Sequence, residues 1–310
     1  MPSSLPLRRP VAAAAVAAVL ALAGCATGSS GTSTSTATGT APCPVAPADV
    51  TVTVDQWAGI VADLAGSCAA VQTVITASAG NPHDYEPTPK DAARLAAADL
   101  VVQNGLGYDA WADRLLEASK PGPVVVDAGK VVKGTDGDNP HVWFSPAAVS
   151  AVADAVTSSL KTVSPGATDY FAACRAAWQQ AMAPYRDAIA RLTTKSAGRS
   201  YAATEPVFDL MAQAIGLADH TPAGYRSAAA NESEPAPGDV AELLQVISDR
   251  SVDVLIFNTQ TEGAIPEQVR DAAHAAGVPI VEVTETAPAG SESFLQWQLG
   301  LLDDLDRALS

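Results

Sequence analysis

Apolar residues in this chain fall into two kinds of stretch that take turns. Residues 50–55, Val-Thr-Val-Thr-Val-Asp, alternate apolar and polar side chains as a strand does, and 56–65 follow with apolar positions three and four apart, the spacing of a helix face. Short apolar runs at 71–75, 100–102 and 124–126 read as further strands, with helices over 89–98 and 108–119 between them. Apolar strands separated by helices belong in a parallel sheet covered on both faces, so 48–164 forms one α/β lobe. Within it, a helix runs from Pro146 to about 163. A longer helical stretch then covers about 167–194, where Tyr170, Cys174, Trp178, Met182, Ile189 and Leu192 make one apolar stripe. Pro184 interrupts it, and a proline inside a helix costs roughly 3 kcal/mol, which predicts either a bend or two helices in succession.

Beyond this linking segment, 165–196, the alternation resumes. Strands are expected over 200–203, 252–257 and 279–283, and helices over 206–215, 237–249, 266–276 and 293–309. The fold class is therefore α/β: two lobes, each a mainly parallel sheet flanked by helices, joined by one long backbone helix, with the second lobe over 197–310.

The N-terminus has a different pattern. Arg8 and Arg9 precede an apolar run over 10–22 that is shorter than the ~20 residues needed to span a bilayer, which reads as an export signal over 1–24. Leu22-Ala23-Gly24-Cys25 resembles the lipobox of bacterial lipoproteins, which implies acylation at Cys25. The Ser-, Thr-, Gly- and Ala-rich stretch that follows, to residue 47, is then a flexible tether. The expected location is extracytoplasmic, with the lipid anchor in the outer face of the cell membrane.

Export permits a disulfide. Cys43 precedes the first strand and Cys68 closes the first helix; in a strand followed by an antiparallel helix those points share one end of the layer, so a Cys43–Cys68 bridge is expected and Cys174 remains a helix residue. With no Cys-x-x-Cys spacing, neither a thiolate metal cage nor a redox dithiol is supported.

The 310 residues, 48% hydrophobic and 17% charged, can bury a large core. With 18 Lys+Arg against 34 Asp+Glu, the formal net charge of -16 argues against nucleic acid as a partner and is compatible with cations. A monomer is expected.

The candidate chemistry lies in two proline-stiffened loops. Asn81-Pro-His-Asp-Tyr-Glu-Pro-Thr-Pro89 holds His83 ahead of a helix start, with Thr88 as N-cap and Pro89 in the first turn. Asn139-Pro-His-Val-Trp-Phe-Ser-Pro146 repeats the theme around His141. In the second lobe, Glu205 and Glu285 directly follow strands. Ligands gather beyond the carboxyl ends of strands in open α/β sheets, so two imidazoles from one lobe and two carboxylates from the other converge across a cleft. That donor set suits Mn, Fe or Zn. His220 and His274 read as surface or loop residues, and Glu282 as a strand side chain close to Glu285. Asn258, Gln260 and Glu262 end a strand from which they can reach the cleft, with a loop role as the first reading, while Tyr85, Trp111 and Trp143 read as packing around the site.

The export signal with its lipobox, His-x-Tyr-Glu-Pro-Thr-Pro at His83, Pro-His-x-Trp at His141, the long linking helix and the post-strand Glu205 together resemble the metal-binding substrate-binding lipoproteins of bacterial ABC importers, the group that serves manganese and zinc uptake. The resemblance covers about 50–310. It implies two lobes joined by a rigid helix, with the metal as transported cargo held between them and an ABC permease with its ATPase as partners. It also implies His83 and His141 as imidazole ligands and Glu205 at a third position that is often His in zinc members and Glu in manganese members. The fourth position, Asp or Glu near the last strand, falls on Glu285, with Glu282 as the neighbour. Zinc members often carry a His-rich loop before the second histidine block; here 134–140 has acids and no added histidine. These departures, and the hardness of two carboxylates, favour manganese over zinc or iron. An enzyme is not expected: Glu86 or Asp84 would serve as a base beside a metal, but no His-Glu-x-x-His helix or two-metal acid cluster is present. Aromatic residues at 5% argue against a siderophore or cobalamin pocket. An adhesin role would be secondary.

Overall fold

Two four-stranded sheets, each parallel throughout, carry the chain. The computed structural model describes residues 42–76, 85–119, 121–135, 137–288 and 293–310. The expectations for the signal peptide, Cys25, the tether up to residue 41, His83 and Asp84 lie outside these residues.

The first sheet is built from β1 (Ala48–Val54), β2 (Ala69–Ile75), β3 (Leu100–Gln103) and β4 (Val124–Asp127), in the order β2-β1-β3-β4. Its helices are α1 (Asp55–Ala65), α2 (Pro89–Ala97), α3 (Ala110–Ala118), the single turn α4 (Ala128–Val131) and α5 (Pro146–Val163). Local chemistry sets the helix starts. At α2 the Thr88 side chain accepts from the Asp91 N–H while Asp91 reaches back to the Thr88 N–H, with Pro89 in the first turn, as the sequence predicts. At α5 the Ser145 side chain accepts from the Ala148 N–H ahead of Pro146.

The linking stretch resolves into α6 (Thr168–Ala181) and α7 (Ala183–Lys195), two helices in succession that together make one long bent helix. Met182, at φ -76 and ψ 5, forms the joint. Pro184 lies in the first turn of α7, where its missing N–H forfeits no bond.

The second sheet repeats the first. Its strands are β5 (Ser200–Ala203), β6 (Ala218–Asp219), β7 (Val254–Asn258) and β8 (Ile280–Val283), ordered β6-β5-β7-β8. Around it lie α8 (Asp209–Ile215), α9 (Ala223–Ala230), α10 (Pro237–Ser248), α11 (Ala264–Ala276) and the closing α12 (Phe294–Ala308). The fold class expected from the sequence is the one found. The differences are local: α4, β6 and α9 join the expected elements, and the helix expected over 206–215 opens with a tight turn over Pro206–Phe208.

Burial explains why the two lobes stay together. One apolar cluster runs through both, with Trp57, Val102, Phe144, Leu160, Phe208, Ile256, Trp297 and Leu302 among its members. Phe144 of the first lobe packs 5.9 Å from Phe208 and 5.7 Å from Trp297 of the second, ring centre to ring centre. The second sheet also buries its other face in a smaller cluster with Tyr225, Leu243, Ile247, Leu255 and Val269. Neighbours on one strand divide between the clusters, Leu255 outward and Ile256 inward, as the two-residue strand period requires. Cys43 and Cys68 are disulfide-bonded, with Cα atoms 4.9 Å apart, while Cys174 is a buried free thiol. Among the described residues, no helix is long and apolar enough to cross a membrane.

Candidate metal centre

The strand order places a crevice at the same point in each sheet. In each order the connections leave the first strand in opposite directions, and loops beyond the carboxyl ends of such strands form a ready binding cleft. The first lobe brings His141 there, on the loop that leads from α4 to α5, just ahead of a tight turn over Val142–Phe144.

Asn139, two residues earlier, explains the Asn-Pro-His motif. Its Oδ1 accepts from the His141 backbone N–H at 2.9 Å and lies 2.7 Å from His141 Nδ1. That contact commits Nδ1 as the protonated nitrogen and leaves Nε2 with its lone pair free for a ligand role, the usual arrangement of a metal-binding imidazole. The Asn139 amide donates to the Pro206 carbonyl of the second lobe at 2.7 Å, and the Pro140 carbonyl accepts from Asn104 at 2.9 Å. His141 is 6% exposed, and its buried Nε2 has no hydrogen-bond partner.

Glu285 Oε2 lies 3.6 Å from that nitrogen. The gap is too long for a good hydrogen bond. It fits two donors sharing one ion, since ligands ~2.0–2.2 Å from a tetrahedral metal stand about 3.4 Å apart. Glu285 comes two residues after β8 and is held from both lobes. From the first, Tyr108 donates to Oε2 at 3.2 Å and the Gln56 amide donates to the Glu285 carbonyl at 3.0 Å. From the second, Asn258 donates to Oε1 at 3.3 Å, and the Glu285 N–H donates to Gln260 Oε1 at 2.6 Å. Burial, with the Glu285 charge beside it, pushes the Tyr108 phenol well above its ordinary value and keeps it a donor.

Glu205 follows β5 in extended backbone, at φ -151 and ψ 157. Its Oε2 accepts from the same Asn258 amide nitrogen that serves Glu285. Burial raises the Glu205 carboxyl above the usual carboxylate range; the Asn258 hydrogen bond pulls it back, the Glu285 charge raises it and His141 lowers it. Two acids drawn together behind one amide make a place where a cation relieves repulsion.

The loop after β3 is organised by a buried acid. Asp109 accepts from Thr53 Oγ1 and from the backbone N–H groups of Asn104 and Gly105, yet burial lifts its carboxyl to about 6. This loop presents Tyr108 and Asn104 to the site.

The structure thus brings together His141 and Glu285, and joins Glu205 to them through Asn258. Among the described residues no group of three or more His, Cys, Asp or Glu side chains meets closely enough to hold an ion by itself, and His83 lies outside those residues. Glu282, His220 and His274 are exposed. Trp143 packs on His141 and Tyr108 at 5.3 and 5.1 Å between ring centres, and Tyr85 stacks near Trp111 at 5.2 Å. Glu262 is exposed, whereas Asn258 reaches both carboxylates and Gln260 the Glu285 backbone N–H, from the strand end that put them within reach of the cleft. Gln56 and Tyr108 carried no sequence signal; only the fold brings them to a residue far along the chain.

The family described as zinc-uptake complex component A, periplasmic, matches residues 50–308. The chain is 25% identical over 213 residues to the iron-binding protein YfeA of Yersinia pestis, a match that covers 65% of this chain and 66% of that protein. It is 22% identical to the zinc-binding lipoprotein AdcA of Streptococcus pneumoniae, over 75% of this chain and 50% of the relative. The chain therefore spans about two thirds of the one relative's length and half of the other's. Among solved structures, the SBP FpvC of Pseudomonas aeruginosa in complex with Mn2+ superposes with a TM-score of 0.70 over 85% of this chain and 98% of that one, at 22% identity, a likeness of fold.

Proposed function

The chain belongs to the family of periplasmic zinc-uptake complex component A proteins, and on that footing we propose that it captures a divalent transition metal between its lobes and delivers it to an ABC permease driven by an ATPase. The ligands are His83, His141, Glu205 and Glu285. The chain works outside the cytoplasm as a monomer, anchored through lipid at Cys25.

One observation carries this reading: a buried imidazole nitrogen of His141, aimed by Asn139 and without a hydrogen-bond partner, faces the Glu285 carboxylate 3.6 Å away. The relatives support a metal as cargo, and their names span iron and zinc, with manganese bound in the FpvC structure. Manganese is the favoured cargo, because two carboxylates harden the site and no histidine-rich loop is present; zinc, which binds most such donor sets more tightly, is the alternative.

No bond is made or broken in this function. The ion displaces protons and water from the four side chains, and the loaded form docks on the permease. Elemental analysis of protein purified without chelator tests the reading. About one equivalent of transition metal is expected in the wild type and none in His141→Ala; wild-type protein that takes up neither Mn2+ nor Zn2+ overturns it.

A further inference from the structure

The loop that follows β3 is bent in a way that side chains resist. Gly105, Leu106 and Gly107 stand in succession at φ 72, 57 and 82, so Leu106 holds a left-handed backbone that an aliphatic residue rarely adopts. What keeps it there is a socket. The Leu106 side chain lies over Gly129 in α4 and Gly134 just beyond it: a Cβ at Gly129 would come 2.7 Å from Leu106 Cγ, and one at Gly134 would come 2.8 Å from Leu106 Cδ2. Neither of these two glycines has a positive φ, so their backbone would accept another residue, and it is the leucine that leaves no room for one.

Hydrogen bonds fasten the ends of the turn, and Leu106 fastens its middle. The Asn104 carbonyl accepts from the Gly129 N–H at 2.8 Å, and Asp109 accepts from the Asn104 and Gly105 N–H groups. Two arms reach from this loop to the metal centre. The Asn104 amide donates to the carbonyl of Pro140, the residue before His141. Tyr108 crosses to the second lobe, where it donates to Glu285 Oε2 at 3.2 Å while accepting from the Gln56 amide at 2.9 Å.

We propose that Leu106 is a positioning residue for metal capture: seated between Gly129 and Gly134, it fixes the left-handed turn that points Tyr108 across the cleft at Glu285. The proposal rests on the reading of this cleft as a metal centre, and it holds whichever carboxylate oxygen meets the ion. Tyr108 lies two residues on from the plug, so a leucine that shifts carries the tyrosine with it. The phenol has little slack, because 3.2 Å is already the long end of an O–H···O bond. A glycine at 106 would adopt the turn without strain but would leave the socket empty; the strained leucine gives the loop an anchor instead.

The test measures Mn2+ and Zn2+ affinity by calorimetry for wild type, Leu106→Ala, Tyr108→Phe and the double variant. Each single substitution is expected to cost about tenfold for both ions, the lower end of the range for residues that orient ligands. The double variant should lose no more than about twofold beyond Tyr108→Phe, because Leu106 acts through the phenol. A leucine that merely stabilises the fold would cost the same factor whichever residue stands at 108. Gly129→Ala fills the socket and should repeat the loss with Leu106 intact. Should Leu106→Ala fail to fold, Leu106→Asn takes its place, since asparagine accepts left-handed backbone but is too polar to fill the socket. Affinity within about threefold of wild type in any of the single variants overturns the proposal, and so does a double variant that loses more than the stated margin; either result leaves the metal centre standing. Wild-type protein that binds neither ion overturns both.

Discussion

The two lobes share one strand order, yet they bring different groups to the cleft and hold them by different means. In the first, the imidazole of His141 is aimed by Asn139, a neighbour two residues away in sequence. In the second, Glu205 and Glu285 are aimed by Asn258, which lies 53 residues from one and 27 from the other. A neutral nitrogen can be oriented by its own loop. A pair of like charges cannot, because each acid needs a donor that also manages the other, and in a parallel sheet such a donor comes from the strand between them.

The strongest break in this comparison is to remove the first lobe's donor. His141→Ala should cost more than the roughly 10–100-fold loss expected when a supporting residue such as Asn139 is replaced by alanine, and calorimetric titration with Mn2+ and Zn2+ checks both. The shared core is the next target. Phe144→Ala removes a ring that touches both lobes and should cost about 3–5 kcal/mol of stability. Because the cluster is continuous, scanning calorimetry should show a single transition moving down; a trace split into two would mean that the lobes unfold separately.

A difference in bracing allows a finer test. The Cys43–Cys68 bond closes a loop with a sequence separation of 25 in the first lobe, and no second disulfide is found among the described residues. The chain-entropy model assigns such a loop about 3.5 kcal/mol. Reduction, or Cys43→Ser with Cys68→Ser, should lower the melting temperature accordingly while leaving metal affinity unchanged.

The smallest of these effects is read through pH. Asp109 of the first lobe titrates near 6 when folded, above its ordinary 3.8, so the native state holds its proton more tightly than the unfolded chain does. Stability linked to this group is therefore present below pH 4 and is lost as pH rises to about 6, by an amount on the order of 3 kcal/mol. Denaturant melts of Asp109→Asn at pH 4 and pH 6.5 should differ less than those of the wild type. Asp63 of the first lobe and Glu205 and Asp209 of the second, all raised by burial, contribute with the same sign, while Asp91 and Asp253, whose burial is outweighed by hydrogen bonds that hold them low, contribute with the opposite one.

The same contrast explains what the sequence made legible. The starts of α2 and α5 could be read because cap and proline sit side by side at Thr88-Pro89 and Ser145-Pro146. Pro184 announced the break between α6 and α7 because a proline inside a helix cannot continue it. The two-residue β6 is too short to carry a period, and α9, rich in alanine, shows little alternation between apolar and polar faces. In the cleft, His141 could be singled out because its motif is local, whereas Gln56, Tyr108 and Asn258 act on residues 27 or more positions away. No window along the chain contains both ends of such a bond.

Hydrogen bonds cross the cleft from Asn139 to the Pro206 carbonyl, from Gln56 to the Glu285 carbonyl and from Tyr108 to the Glu285 carboxylate. Each half thus steadies a side chain that belongs to the other. A docking partner that pries the halves apart therefore works on the fingers as well as the mouth, because the same wrench that widens the one slackens the other.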